Sequence, residues 1–164
     1  GPFAGKSFAT SIAGWITPLA AIPLVSAPTQ EPAPDPLLAT TRDWAVDIEV
    51  AWALNGTELG RTNARSLWWT FAQQLAHLTA NGAGLRRGDL FATGTISGPA
   101  PGQAGSLIEA AHAGAQPVTL ADGSTRCWLD DGDTVTLTGS WRAGDTTGRL
   151  AEFNCTVVPA QEVP

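Results

Sequence analysis

Hydrophobic and polar positions in this chain alternate more often than they recur at helical spacing, so the text reads mostly as strands joined by tight turns. The clearest case is Val46, Ile48, Val50, Trp52 and Leu54, with Asp47, Glu49, Ala51 and Ala53 between them. This two-residue repeat ends at Asn55-Gly56, a strong hairpin signal. Asp47 and Glu49 share the polar face and are expected in solvent, without a catalytic role. Residues 118–120 and 125–129 flank Asp122-Gly123 and predict a second hairpin. The run Asp130-Asp131-Gly132-Asp133 predicts a turn into a strand over 134–138, and 150–158 reads as the last strand. A calcium loop is a poor reading of those aspartates, because the closing glutamate and flanking helices are missing.

One good helix stands among the strands, over residues 66–81. Leu67, Phe71, Leu75 and Leu78 fall on one face, Thr70 with Gln73 forms a capping box, and Asn81-Gly82 stops it. His77 lies near that apolar face and is expected as a core or interface residue, and His112 has no evident partner. Phe8, Ile12, Trp15 and Ile16 predict an apolar patch packed inward. Prolines 28, 32, 34 and 36 keep 23–36 extended, as an ordered excursion within one domain over 1–164. Residues 89–93 read as a strand arriving from a tight turn. The fold class is therefore mainly β, α+β, with one main helix.

Composition narrows the function classes. A length of 164 residues with 43% apolar content is enough for a domain with a core. A net charge of −6, with Arg86-Arg87 the only basic doublet, argues against a nucleic-acid surface. Residues 11–25 come nearest to a membrane span, but Pro18 and Pro23 interrupt them. Cys127 and Cys155 lack metal-ligand spacing and are expected reduced and buried in late strands. With no methionine, the chain is expected to be processed or part of something longer. Lys6 is the only lysine among nine basic residues; it is either an ordinary surface lysine or an ammonium retained for a task that guanidinium cannot do. Gly1 to Ser7 is not a P-loop, since the spacing between its glycines is one residue short.

The chain's chemistry gathers around residues 94–109. Gly98, Gly102 and Gly105 alternate with Pro99 and Pro101, so the sequence specifies a fixed loop path. Thr95 and Ser97 put hydroxyls at its start and Glu109 a carboxylate at its end. Such a loop either turns a corner or wraps a ligand.

The run Gly94-Thr95-Ile96-Ser97-Gly98-Pro99, followed by Gly105-Ser106-Leu107-Ile108-Glu109, resembles the signature of the fumarylacetoacetase family. Gly1-Pro2-Phe3-Ala4-Gly5-Lys6 and Trp69-Thr70-Phe71-Ala72-Gln73-Gln74-Leu75-Ala76-His77 with Arg87-Gly88-Asp89 are similar to it in the same order. The resemblance covers essentially the whole chain. It implies a mixed β-sandwich roll of the family's carboxy-terminal type and hydrolysis of a carbon–carbon bond in a diketo acid, in tyrosine and phenylalanine catabolism. It also implies a Mg²⁺ or Ca²⁺ site, a cytoplasmic homodimer, and no nucleic-acid or membrane partner. By resemblance, Lys6 lies beside the metal and stabilises the oxyanion, Thr10 belongs to the metal site, Thr95 binds substrate, and Glu109 orients the catalytic histidine. The family's histidine base, most metal ligands and amino-terminal domain precede the Gly1–Lys6 motif. This chain alone is therefore expected not to turn over substrate.

Two other readings stand beside this one. A decarboxylase, hydratase or isomerase of the same superfamily would share the roll, but its loop is typically shorter than the one ending at Glu109. A non-catalytic assembly module would use Trp44, Trp52, Trp68, Trp69, Trp128 and Trp141 as partner surface.

Overall fold

The computed structural model describes residues 9–40 and 44–160. Its strands are β1 (Leu24–Ser26), β2 (Trp44–Val46), β3 (Glu49–Leu54), β4 (Thr57–Asn63), β5 (Val118–Thr119), β6 (Thr125–Arg126), β7 (Thr134–Ala143), β8 (Thr146–Arg149) and β9 (Phe153–Thr156). Its helices are α1 (Phe71–Thr79) and the short α2 (Leu107–Ala110). The chain is mainly β with one main helix, as its alternating pattern predicts.

Asn55 and Gly56 adopt φ of 48° and 77°, the left-handed pair that lets β3 fold back on β4 without splaying the strands. β3 is then sandwiched between β4 and β7, antiparallel to both. The ten-residue β7 is the spine of this sheet. Along its other edge, β9 pairs with Thr134–Leu137 and β8 with Ser140–Ala143. β1 pairs with β2, so part of the proline-rich stretch is strand, and the chain from 27 to 43 connects two hydrogen-bonded partners. β5 and β6 form a small hairpin around the Asp122-Gly123 turn.

Two apolar clusters make the core. Val46, Ile48, Ala64 and Trp141 form the first, with Phe71, Ile96 and Leu150 packed against them. Trp52, Leu54 and Leu120 form the second, with Leu107, Ala110 and Val135. Trp52 lies over Gly60 of β4, and Trp141 over Gly148 of β8, each directly across a strand pair. A Cβ on Gly60 would sit 2.3 Å from Trp52 Nε1, and one on Gly148 2.2 Å from Trp141 Cε2. These two tryptophans are core, not partner surface. Trp44 is half-buried, and Trp68, Trp69 and Trp128 are exposed.

Several expectations are corrected. The helix begins at Phe71, not residue 66, because Ala64–Ser66 is a 3-10 turn capped by the Asn63 side chain. Thr70 is the N-cap with both halves of its capping box formed: Gln73 N donates to Thr70 Oγ1 at 3.2 Å and Thr70 N to Gln73 Oε1 at 3.0 Å. Leu67 is thus outside the helix, and Leu78 is exposed. Residues 89–93 belong to no strand or helix. Ile12, Trp15 and Ile16 are exposed, on a segment without helix or strand; Phe8 lies outside the described residues. Cys127 and Cys155 are free and half-buried, contacting Gly114 O and Ser11 Oγ respectively. Among the described residues no helix is long and apolar enough to cross a membrane.

The turn at residues 130–133 is a polar joint centred on the buried Asp133. Asp133 accepts from Arg126 Nε at 2.9 Å and Nη2 at 3.1 Å, from Asn55 Nδ2 at 2.7 Å and from Asp130 N at 2.8 Å. It ties the β3–β4 turn to β6 and the start of β7. The Arg126 guanidinium, with lesser help from the Asp130 N–H and Asn55, outweighs burial and lowers its pKa to about 2.

Candidate functional site

The loop from Gly94 to Glu109 is built onto the β3–β4 hairpin. Trp52 Nε1 donates to Ala104 O at 2.7 Å, and the Arg61 N–H donates to Gly102 O at 2.9 Å. Gly98 N donates to Gln103 O and Gln103 N to Ala100 O, which close the proline-containing tip on itself. The Gln103 side chain accepts from Ala100 N and lies where a Gly98 side chain would have to go, its Oε1 2.2 Å from that Cβ position. Ile96 packs into the first core cluster while Leu107 and Ala110 pack into the second. Both ends of the loop are therefore anchored by apolar burial and its middle by hydrogen bonds to the sheet.

That path brings Thr95, Ser97 and Glu109 together around Gly105. Ser97 Oγ donates to Glu109 Oε2 at 2.6 Å, and the Gly105 N–H donates to the same oxygen at 2.9 Å and to Ser97 Oγ at 3.3 Å. A Cβ on Gly105 would meet Ile96 O at 2.3 Å and Thr95 Cγ2 at 2.7 Å, so only glycine fits where the two limbs touch. The Ser97 hydroxyl lowers the pKa of Glu109 most; desolvation opposes it, and the Gly105 N–H and Ser106 add smaller favourable effects. Ser106 Oγ is buried and has no partner at hydrogen-bond distance among the described residues, so its effect on Glu109 is the smallest of these. Glu109 is thus an ionised carboxylate whose Oε1 receives no hydrogen bond from the described residues.

Thr95 is exposed, and its hydroxyl makes no hydrogen bond among the described residues. It lines a cleft of about 790 Å³ with Trp68, Trp69, Gln73, His77 and Phe91. His77 therefore faces this cleft and is exposed, and no histidine bonds Glu109 among the described residues. His112, in a left-handed conformation at φ 48°, is also exposed.

Lys6 is outside the described residues. Thr10 is exposed, and no hydrogen bond joins it to Thr95 or Glu109 among the described residues. Its hydroxyl is a hard oxygen donor suited to Mg²⁺ or Ca²⁺, but those ions take six or more oxygen ligands. The described residues contain no cluster of three His, Cys, Asp or Glu able to hold a metal. They fit at most one edge of such a site.

Sequence reasoning noted the Ser97 hydroxyl without assigning it, and missed Gln73 as a cleft residue. Serine near the loop's start and glutamate at its end, with glycines forcing the limbs together, was the available signal for Ser97. Gln73 was hidden by its evident role in the helix cap.

A mainly-β chain with a folded glycine–proline loop presenting a hydroxyl and an ionised carboxylate is the class that fold and site define. Residues 1–158 match the family described as fumarylacetoacetate (FAA) hydrolase C-terminal, and the chain belongs to that family. It is similar to the fumarylacetoacetase of Bos taurus, 42% identical over 147 residues, which are 85% of this chain and 35% of the relative. The fumarylacetoacetase of Homo sapiens is 41% identical and that of Arabidopsis thaliana 44% identical over the same shares. The chain thus spans about a third of the length of these curated relatives.

Proposed function

We propose that this chain supplies one part of the active site of a fumarylacetoacetase, which hydrolyses the carbon–carbon bond of 4-fumarylacetoacetate to fumarate and acetoacetate in tyrosine and phenylalanine catabolism. The observation that carries this reading is the convergence of Thr95 and Glu109 on Gly105, within the family's own loop motif. The Thr95 hydroxyl binds the diketo acid at the cleft mouth. Glu109, kept ionised, accepts from a histidine base supplied from outside the described residues, fixing its tautomer so that it can deprotonate water. Lys6 is the point charge that meets the developing oxyanion. Thr10, beside Lys6 and with most ligands contributed from elsewhere, would help to hold Mg²⁺ or Ca²⁺, which would supply Lewis acidity when bound. The working form is a cytoplasmic homodimer, whose interface gives the exposed tryptophans a role.

The test is a chimera in which this chain replaces the matching stretch of the Bos taurus fumarylacetoacetase. The chimera should turn over fumarylacetoacetate, and the 164-residue chain alone should not. Within it, Glu109→Gln should lower kcat by roughly 10²-fold or more, as loss of a base-orienting carboxylate does. Thr95→Val should chiefly raise KM. A chimera that melts cooperatively yet leaves substrate untouched would count against the proposal, as would full activity in the Glu109→Gln variant.

A further inference from the structure

Glu109 carries out the role proposed above only if its carboxylate is immobile as well as charged, and a solvent-exposed glutamate on a four-residue helix is not immobile by itself. Two neighbouring groups hold it. The Ser97 hydroxyl makes the shortest contact to the carboxylate, 2.6 Å, and the Gly105 N–H reaches both oxygens of that contact. A hydroxyl that donates to the carboxylate while accepting from the backbone has its rotor fixed at both ends, so it acts as a strut. The strut stands on a rigid base. Ile96, beside Ser97, is packed in the core, and the next residue, Gly98, is closed against Gln103. Both bonds end on Oε2, so Oε1 keeps its lone pairs for another donor.

We propose that Ser97 is a positioning residue of this site, whose hydroxyl fixes the Glu109 carboxylate so that Oε1 is presented to the group that the carboxylate orients. This rests on the reading of Glu109 given above and adds a residue that acts through it. The lowered Glu109 pKa agrees, its largest cause being the Ser97 hydroxyl, and no charged side chain contributes to that shift.

The experiment follows the Glu109 side-chain carboxyl by ¹³C NMR titration in the 164-residue chain, as wild type, Ser97→Ala, Ser97→Thr and Ser97→Val. Threonine and valine have nearly the same shape and differ in the hydroxyl, so that pair separates the strut from packing. Wild type and Ser97→Thr should titrate below the ordinary glutamate value. Ser97→Ala and Ser97→Val should titrate higher by about half a unit or more, roughly a threefold change in proton affinity. A wild-type midpoint at the ordinary value, or coincident midpoints for the threonine and valine variants, would overturn the assignment. In the active chimera, Ser97→Ala and Ser97→Val should lower kcat about tenfold with KM little changed, and Ser97→Thr should restore it. The titration reads Ser97 whether or not the chimera turns over. Its failure is therefore distinct from failure of the Glu109 reading, which the Glu109→Gln variant reports.

Discussion

Asp133 and Glu109 are two carboxylates that the protein keeps charged by different means. Glu109 is exposed and held by neutral donors, which suits a group that must still accept another partner. Asp133 is buried, and its two oxygens are taken up by Arg126, Asn55 and the Asp130 N–H, which suits a joint. The folded pKa of Asp133 is near 2, against an ordinary value of 3.8. A depressed folded pKa means that the unfolded chain binds the proton first as pH falls. The contribution is therefore full above about pH 4 and is lost progressively toward pH 2, amounting to on the order of 2 kcal/mol. Asp133→Asn should flatten that part of the stability-versus-pH curve and lower stability at neutral pH, because the half-buried Arg126 guanidinium loses its counter-charge. Urea unfolding of both proteins at pH 7, 4 and 2.5 checks this; parallel curves would show that Asp133 does not carry the acid dependence. From sequence, Asp133 was one aspartate of a turn, because nothing local announces that Asn55 and Arg126 arrive from two other hairpins. Glu109 was legible because the same loop that positions it also spells its motif.

At the scale of elements, what could be read was what is local. Asn55-Gly56, the Thr70–Gln73 cap and Asp122-Gly123 each fix their own backbone, and each is found where the text put it. The missing information was pairing. β8 has the sequence Thr146-Thr147-Gly148-Arg149, with no alternation to read, and exists because Trp141 across the pair needs a residue without a side chain. Gly60 plays the same part under Trp52 and also lets Ala104 O approach to 1.9 Å from its would-be Cβ. The hairpin, the core tryptophan and the central loop thus meet at one glycine. Gly60→Ala should cost about 1–3 kcal/mol, the range for overpacking a filled site. It should also break the Trp52–Ala104 hydrogen bond and so disturb the loop that carries Glu109. Chemical denaturation gives the first number, and exchange of the Trp52 indole proton the second. A stable variant whose indole proton stays protected would show that the contact is slack.

For the whole molecule, surface area is the informative quantity. The chain exposes 11787 Å², whereas a folded monomer of its 17.0 kDa mass exposes roughly 7,700 Å². The apolar side chains left in solvent include Trp15 and Ile16, which were expected to pack inward, together with Trp68, Trp69, Leu90 and Trp128. Residues 89–93 belong to the same account, since they form no strand or helix and leave Leu90 and Phe91 exposed. Patterning marks a residue as apolar without saying which surface will cover it, so this share of the fold was not readable from the chain alone. If the proposed enzyme is right, further polypeptide and a second copy cover these positions. The isolated chain should then bind the dye ANS strongly at neutral pH and unfold at modest temperature, while the chimera should bind little and melt well above it. Weak dye binding by the isolated chain would mean that the exposed tryptophans are already satisfied. A chimera as bright as the fragment would mean that the surrounding enzyme does not cover them, and the proposed interface would fall with that result.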